Sequence, residues 1–232
     1  MKFHEMEIKQ VEKVLETDFS IGLSQVAADK RIAEHGLNEL DEGEKQSALL
    51  LFFSQFKDFM VLVLLAATLI SGLLGEYIDA IAIIAIVIIN GFLGFFQERR
   101  AEKSLQALKE LSAPQVSVLR DGQWIKLPSK EIVSGDILKF SSGDRIGADV
   151  RIIESRSLEI EESALTGESV PVSKHSDCLT NPNPGIGDME NIAFMGTMIT
   201  RGSGVGVVIA TGMKTAMGQI ADLLQIADLQ GC

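Results

Sequence analysis

Two long uncharged runs interrupt an otherwise charged chain. Phe59 to Gly75 (FMVLVLLAATLISGLLG) covers seventeen residues, and Ala80 to Gln97 (AIAIIAIVIINGFLGFFQ) covers eighteen. As helices rising about 1.5 Å per residue, each reaches roughly 26 Å, enough for a bilayer core of about 30 Å once flanking residues are added. The pattern predicts a two-helix transmembrane hairpin. Its link, Glu76 to Asp79 (EYID), is acidic and lacks Lys or Arg, whereas Arg99, Arg100, Lys103 and Lys109 follow the second run. By the positive-inside rule the link lies outside and both flanks lie in the cytoplasm, which makes the chain a multi-pass protein of the cell membrane with the lipid bilayer as a partner. The competing arrangement is a pair of buried helices in a large soluble core, but soluble helices seldom run this long without a charge.

Leu49 to Asp58 (LLLFFSQFKD) mixes bulky apolar residues with Lys57 and Asp58 and predicts an interfacial helix leading into the first span. After the second span, Gln97 to Ser112 keeps helical spacing, with Ala101, Leu105, Leu108 and Leu111 on one side. The span is therefore expected to continue as a stalk that stops before Pro114. Asn90, Gly91 and Gly94 suit close helix packing and carry no site.

The flanks read differently. Val11 to Leu15 and Gln25 to His35 predict two short amphipathic helices, the second capped by Ser24 and ended by Gly36. His4 and His35 are isolated and read as solvated. Beyond Pro114 the period shortens to that of strands. Val116 to Arg120, Asp121-Gly122 and Gln123 to Leu127 form a hairpin signal, because Asp-Gly tolerates the positive φ of a type I′ turn. Further strands are expected at Asp136 to Phe140, Val150 to Glu154, Leu158 to Glu161 and Val205 to Thr211. Short strands without intervening helices point to a small β-sandwich or distorted jelly roll. Asn181 to Asp188 reads as a surface loop and Ala216 to Asp228 as a closing helix. Glu159, Glu161 and Glu162 read as a solvated strand face.

Charge narrows the function. The formal net charge of −11 is acidic on both flanks and nearly absent between them, so a nucleic-acid binder, which needs a basic face, is excluded. Cys178 and Cys232 are too few and too unrelated in spacing for a disulfide scaffold or a zinc site, which makes a reducing compartment the default. Met1 to Asp18 is charged throughout and lacks the apolar core of a signal peptide, so membrane entry is expected to be internal.

One tetrapeptide carries candidate chemistry. Thr166-Gly167-Glu168-Ser169 follows a strand signal and precedes Val170-Pro171-Val172. A glycine beside a carboxylate, with hydroxyls on both sides, suits a loop that approaches an anionic group while holding one acceptor for a water proton. A capping box explains the same residue types more simply, and the tetrapeptide by itself leaves that explanation ahead.

The surrounding sequence changes the weighting. Asp136 to Ile153 (DILKFSSGDRIGADVRII) followed by Leu158 to Lys174 (LEIEESALTGESVPVSK) resembles the actuator domain of P-type ATPases, the cation pumps that form an aspartyl-phosphate intermediate. Gly22 to Leu40 is similar to the amino-terminal segment of these pumps, Phe53 to Glu110 to their first membrane hairpin and stalk, and Gly196 to Gly218 to the end of the actuator fold. Within the family the chain looks most like calcium pumps of the sarcoplasmic-reticulum type and their bacterial relatives. Pumps for Na, K, H or Mg ions remain alternatives. Gly147 departs from the family's usual proline, which implies a looser turn.

The resemblance implies an α+β membrane protein in four stretches. These are 1–46, amino-terminal helices belonging to the actuator; 47–97, the transmembrane hairpin; 98–112, the stalk; and 113–232, the cytoplasmic β-rich actuator with its closing helix. It implies that Glu168 positions and deprotonates the water that hydrolyses the aspartyl phosphate, with Thr166, Gly167 and Ser169 completing the catalytic loop. ATP and Mg2+ are the implied cofactors and Ca2+ the implied transported ion. The implied partners are phosphorylation and nucleotide-binding domains of the same full-length chain. The phosphorylation motif DKTGT is not found here, so this stretch is expected to be the amino-terminal part of a longer pump, inactive alone. The other hypothesis is a standalone membrane-anchored regulatory or binding module that reuses the actuator fold.

Overall fold

The computed structural model describes residues 2–41, 59–111 and 114–230. The interfacial helix expected at Leu49 to Asp58 and the boundaries expected near 46 and 112 lie outside the described residues. The rest falls into two compact units, one of 2–41 with 114–230 and the other of 59–111.

The second unit is a pair of packed helices, here α3 (Phe59–Leu74) and α4 (Tyr77–Leu111). Gly75, at φ +85°, turns the chain between them. The helix α4 begins at Tyr77, so the link is shorter than the four residues expected. At 35 residues, α4 runs roughly 52 Å without a break between span and stalk. It is long and apolar enough to cross a membrane, whereas α3 has 16 residues and falls short by length. A crossing by both helices is therefore not established by the fold. Thr68 resolves its polarity locally, its Oγ1 donating to the Leu64 carbonyl at 2.9 Å. Leu69, Leu73, Ile78 and Ile81 expose their apolar side chains.

The first unit is a seven-stranded antiparallel sheet with amino-terminal helices. Its strands are β1 (Gln115–Arg120), β2 (Gln123–Pro128), β3 (Ile137–Ser141), β4 (Asp149–Glu161), β5 (Val172–Lys174), β6 (Ile192–Ala193) and β7 (Met198–Ala210). They run in the order β2-β1-β3-β7-β4-β5, with β6 beside β4. The Asp121-Gly122 hairpin forms as its residues dictate, with φ of +49° and +75° and Arg120 opposite Gln123. The sandwich or jelly roll suggested by the strand signals takes the form of one hydrogen-bonded path, bent by irregularities along β4 and β7.

That bend explains two departures from the expected strands. The two signals at Val150 to Glu154 and Leu158 to Glu161 belong to one 13-residue strand, β4. Ser157 adopts φ +49° and Gly202 on β7 adopts φ +79°, so the ladder shifts register there and continues. A Cβ on Gly202 would meet the Ser157 carbonyl oxygen at 2.1 Å, a contact only glycine avoids. Glycines 202, 204 and 206 also hid the first half of β7, because glycine lowers the strand signal. Inside the bend lies an aliphatic core that includes Val118, Phe140, Val150, Ile152, Leu158 and Ile160.

The amino-terminal segment belongs to this unit. Helix α1 (Ile8–Leu15) packs Val11 and Leu15 against Val207. Helix α2 (Gln25–His35) has the bounds expected, with Ser24 Oγ accepting from the Ala27 N–H at 3.2 Å and Gly36 in the left-handed region. His4 is buried rather than solvated, because its own carbonyl accepts from Asn191 Nδ2 at 2.9 Å and from the Leu179 N–H at 2.9 Å. Asn38 ties three loops. Its Nδ2 donates to the carbonyls of Ser129 at 2.9 Å and Gly147 at 2.8 Å, and its Oδ1 accepts from the Gly212 N–H at 2.8 Å. The turn at Gly147 is consequently not loose. A Cβ there would lie 3.0 Å from Ile132 Cδ1 and 3.2 Å from Ser129 Cβ.

Two further buried groups order the unit. Arg120 and Asp136 form a bidentate pair at 3.0 and 2.7 Å; Arg120 also donates to the Glu131 carbonyl and to Gln25 Oε1, and Asp136 accepts from the Val133 N–H. Asp149 accepts from the N–H groups of Met195 at 2.9 Å and Ala216 at 2.7 Å. The second bond caps helix α6 (Ala216–Gln230), where Thr215 Oγ1 also accepts from the Gly218 N–H at 3.0 Å. Burial pushes the Asp149 carboxyl above its usual range, opposed by these two N–H bonds. Asp149→Ala strands both donors and should cost about 1–3 kcal/mol, read as a lowered midpoint in chemical denaturation followed by circular dichroism.

Candidate functional site

The tetrapeptide occupies a loop at the end of β4. Beyond Glu161 the chain makes one helical turn, α5 (Ser163–Thr166), in which the N–H groups of Leu165 and Thr166 donate to the Glu162 carbonyl at 2.9 and 3.0 Å. Gly167 ends that turn at φ +77°, its N–H donating to the Ser163 carbonyl at 2.9 Å. A side chain at that φ would be strained, although nothing lies within 4 Å of the Cβ position. Glycine is required by the turn, and the space beside it stays open to an approaching group.

Thr166 organises the next step. Its Oγ1 donates to the Glu162 carbonyl at 3.1 Å and accepts from the Glu168 N–H at 3.2 Å. One hydroxyl thus fastens the Glu168 backbone to the helical turn. Glu168, Ser169 and Val170 follow as an exposed tip, with Val170 73% exposed. The Glu168 carboxylate makes no hydrogen bond or ion pair among the described residues. The loop therefore presents a solvent-facing carboxylate on a fixed backbone, which is what a group accepting a proton from a water requires. The four residues singled out in the sequence sit together, with Thr166 turned to internal bonding and Glu168 outward.

Beneath the loop lies a pair that the sequence reading missed. Glu162 was expected on a solvated face, yet it is 1% exposed and its Oε1 lies 2.6 Å from Lys174 Nζ. Leu158, Ile160 and Glu162 fall on the same face at period two, and all three are buried; this alternation was the available signal. Lys174 on β5 also donates to the Met189 carbonyl at 3.0 Å and lies 5.6 Å from the centre of the Phe194 ring. The approach of Glu162 and Lys174 is an ionic contact at Oε1, and Oε2 has no hydrogen-bond donor among the described residues. Burial pushes the Glu162 carboxyl above its usual range and Lys174 below its own, each opposed by the attraction between them.

The described residues hold no group of three or more His, Cys, Asp and Glu side chains placed to bind a metal ion. Cys178 is a free, exposed thiol. His175, the residue after β5, is paired with Glu190 at 2.9 Å.

Comparison with known proteins places these features in a family. Residues 110–225 match the P-type ATPase actuator domain, and residues 3–71 match the cation transporter/ATPase N-terminus. A calcium-transporting ATPase of Bacillus subtilis is 69% identical over 227 residues, covering 98% of this chain and 26% of the relative. Calcium-transporting ATPase 1 of Bacillus cereus is 43% identical over 92% of this chain and 24% of its own length. The probable cation-transporting ATPase F of Mycobacterium bovis is 38% identical over 97% of this chain and 25% of its own. The chain spans about a quarter of the length of these relatives. The match from 110 to 225 contains the bent sheet, the 166–169 loop and the buried pair beneath it, and with it the chain belongs to the P-type ATPase family.

Proposed function

We propose that the chain is the amino-terminal part of an ATP-driven calcium pump, in which the 166–169 loop catalyses hydrolysis of an aspartyl phosphate formed elsewhere in the longer protein. The observation that carries this reading is the exposed Glu168 carboxylate on a backbone fixed by Thr166, beside the open space over Gly167. The relatives named as calcium-transporting favour calcium as the ion.

In the hydrolytic step a water oxygen attacks phosphorus, and the bond from phosphorus to the aspartyl oxygen breaks. The aspartate leaves as a carboxylate and inorganic phosphate forms. Glu168 orients the water and takes its proton. Gly167 lets the loop come close, and Thr166 holds the Glu168 backbone so that its carboxylate meets the water in one geometry. Ser169 borders the same exposed tip. ATP and Mg2+ belong to the phosphorylation and nucleotide-binding domains of the longer chain, where Mg2+ neutralises phosphoryl charge.

The helix pair is the membrane hairpin of this reading, with 1–46 and 113–232 forming the actuator, 47–97 the hairpin and 98–112 the stalk. An exposed apolar surface of this extent on two packed helices suits lipid as its surroundings. Helix α4, at roughly 52 Å, exceeds a bilayer core of about 30 Å, so its basic end at Arg99, Arg100 and Lys103 extends into the cytoplasm as the stalk. Movement of the actuator would pull on that end and tilt the hairpin.

Two outcomes follow. In the full-length pump, calcium-dependent phosphorylation from ATP should be retained in Glu168→Ala, while decay of the phosphoenzyme slows by roughly 100-fold or more. Decay at the normal rate contradicts the assignment. For the topology, Glu76→Cys should react with an impermeant maleimide added outside intact cells, whereas Cys178 should react only after permeabilisation; the reverse pattern overturns the orientation.

A further inference from the structure

A carboxylate on an exposed loop is useful only if the loop ends are fixed, because thermal motion of an ångström at the reacting group removes most of the advantage of a positioned base. The bonds within the 166–169 loop are local. They hold Glu168 to the helical turn α5, while the flanking strands are held by their own ladder, in which Ile160 stands opposite Val172 and Leu158 opposite Lys174. The Glu162–Lys174 pair adds a side-chain tie between α5 and β5 beyond the last backbone pair. Glu162 stands immediately before α5, and Lys174, at the end of β5 away from the loop and opposite Leu158, reaches back along the buried face to meet it at 2.6 Å. The Glu162 carbonyl is also the acceptor for Thr166 Oγ1, which in turn holds the Glu168 N–H. Lys174 reaches a third segment through the Met189 carbonyl, just past the turn at Ile186–Asp188. That turn backs the loop: a Cβ on its Gly187 would touch Thr166 Cγ2 at 3.4 Å.

Stability is a poor explanation for this arrangement. Removing two charges from water is costly, and their attraction repays it only when the remaining oxygens and protons are well hydrogen-bonded. Here Lys174 is the one partner of the Glu162 carboxylate among the described residues, at Oε1, and Oε2 has none, unlike the bidentate Arg120–Asp136 pair. Burial shifts Glu162 and Lys174 in the directions that disfavour their charges. Two apolar side chains of similar volume would hold the sheet together as well. What they would not supply is a contact between one oxygen and one nitrogen that sets where Glu162, and with it the start of α5, sits against β5 beyond the last backbone pair.

We infer that the buried Glu162–Lys174 ion pair is a positioning device for the phosphate-hydrolysing loop, setting where Glu168 stands and acting only through it. This inference rests on the hydrolytic role proposed for Glu168, and the test separates the two.

The experiment measures phosphoenzyme formation and decay in the full-length pump for Glu168→Ala, for the double variant Glu162→Met with Lys174→Met, and for all three substitutions together. The double variant should keep its thermal midpoint and its rate of phosphorylation from ATP, while decay slows by roughly 10- to 100-fold. The triple variant should decay no more slowly than Glu168→Ala alone, since a device acting through Glu168 has nothing left to position. If Glu168→Ala is slow and the double variant decays at the wild-type rate, the positioning role is overturned and the hydrolytic role of Glu168 stands. If Glu168→Ala decays at the wild-type rate, the hydrolytic role itself fails. An additive slowing in the triple variant also overturns the positioning role. Should the double variant fail to phosphorylate, Glu162→Gln, which keeps the volume and one acceptor, carries the same test: slowed decay at full phosphorylation supports the inference, and unchanged decay overturns it.

Discussion

The contact between Glu162 and Lys174 lies beneath a loop whose outermost carboxylate, Glu168, faces solvent, and it adds a buried side-chain tie to the β4–β5 pairing that closes the loop. An exposed carboxylate has no packing to hold it. Its position has to be set from below, through backbone and through the few side chains that reach the interior. Here the chain of bonds runs from the buried pair to the Glu162 carbonyl, from that carbonyl to Thr166 Oγ1, and from Thr166 to the Glu168 N–H. Each link is ordinary in strength. Together they leave one carboxylate outside and its backbone fixed, which is the combination that general-base chemistry on a bound phosphoryl group needs.

The larger fold serves the same requirement. Strands β4 and β7 are long and bent, and past the register shift at Ser157 and Gly202 they stay paired as far as Glu161 opposite Met198, where the loop begins. The aliphatic core inside the bend gives the strand a rigid root. Asn38, Asp149 and the Arg120–Asp136 pair then fasten the amino-terminal segment, the last helix and the first hairpin to that root. These bonds tie the amino-terminal segment, the first hairpin and the last helix to one core. In the proposed pump that property turns a local event at phosphate into a pull on a helix.

Much of this was legible in the residues. Ser24 and Gly36 bounded α2 because a hydroxyl accepts a free N–H at one end and glycine tolerates positive φ at the other. Asp121-Gly122 fixed a hairpin for the same reason. The loop residues were visible as chemistry only through their resemblance to a family, since a carboxylate between hydroxyls has commoner local uses. Other features depended on tertiary contact. A strand that survives a register shift looks like two strands, and β7 was half concealed by glycines that its close neighbours demand. The burial of His4 follows from bonds to Asn191 and Leu179, far along the chain. Glu162 is the instructive case: the period placed it inside, its charge argued outside, and the partner that reconciled them lay on another strand. A period-two pattern that runs into a carboxylate is a reason to look for a buried cation.

In the proposed pump Glu168 acts on the attacking water while the buried pair holds its loop. The most direct measurement is a structure of the full-length pump with a planar aluminium fluoride complex in place of the transferring phosphoryl group. One water should lie between the complex and Glu168, with the carboxylate about 2.6–3.2 Å from that water and the Glu162–Lys174 contact intact. A Glu168 turned away from the complex, with another group holding the water, would contradict it.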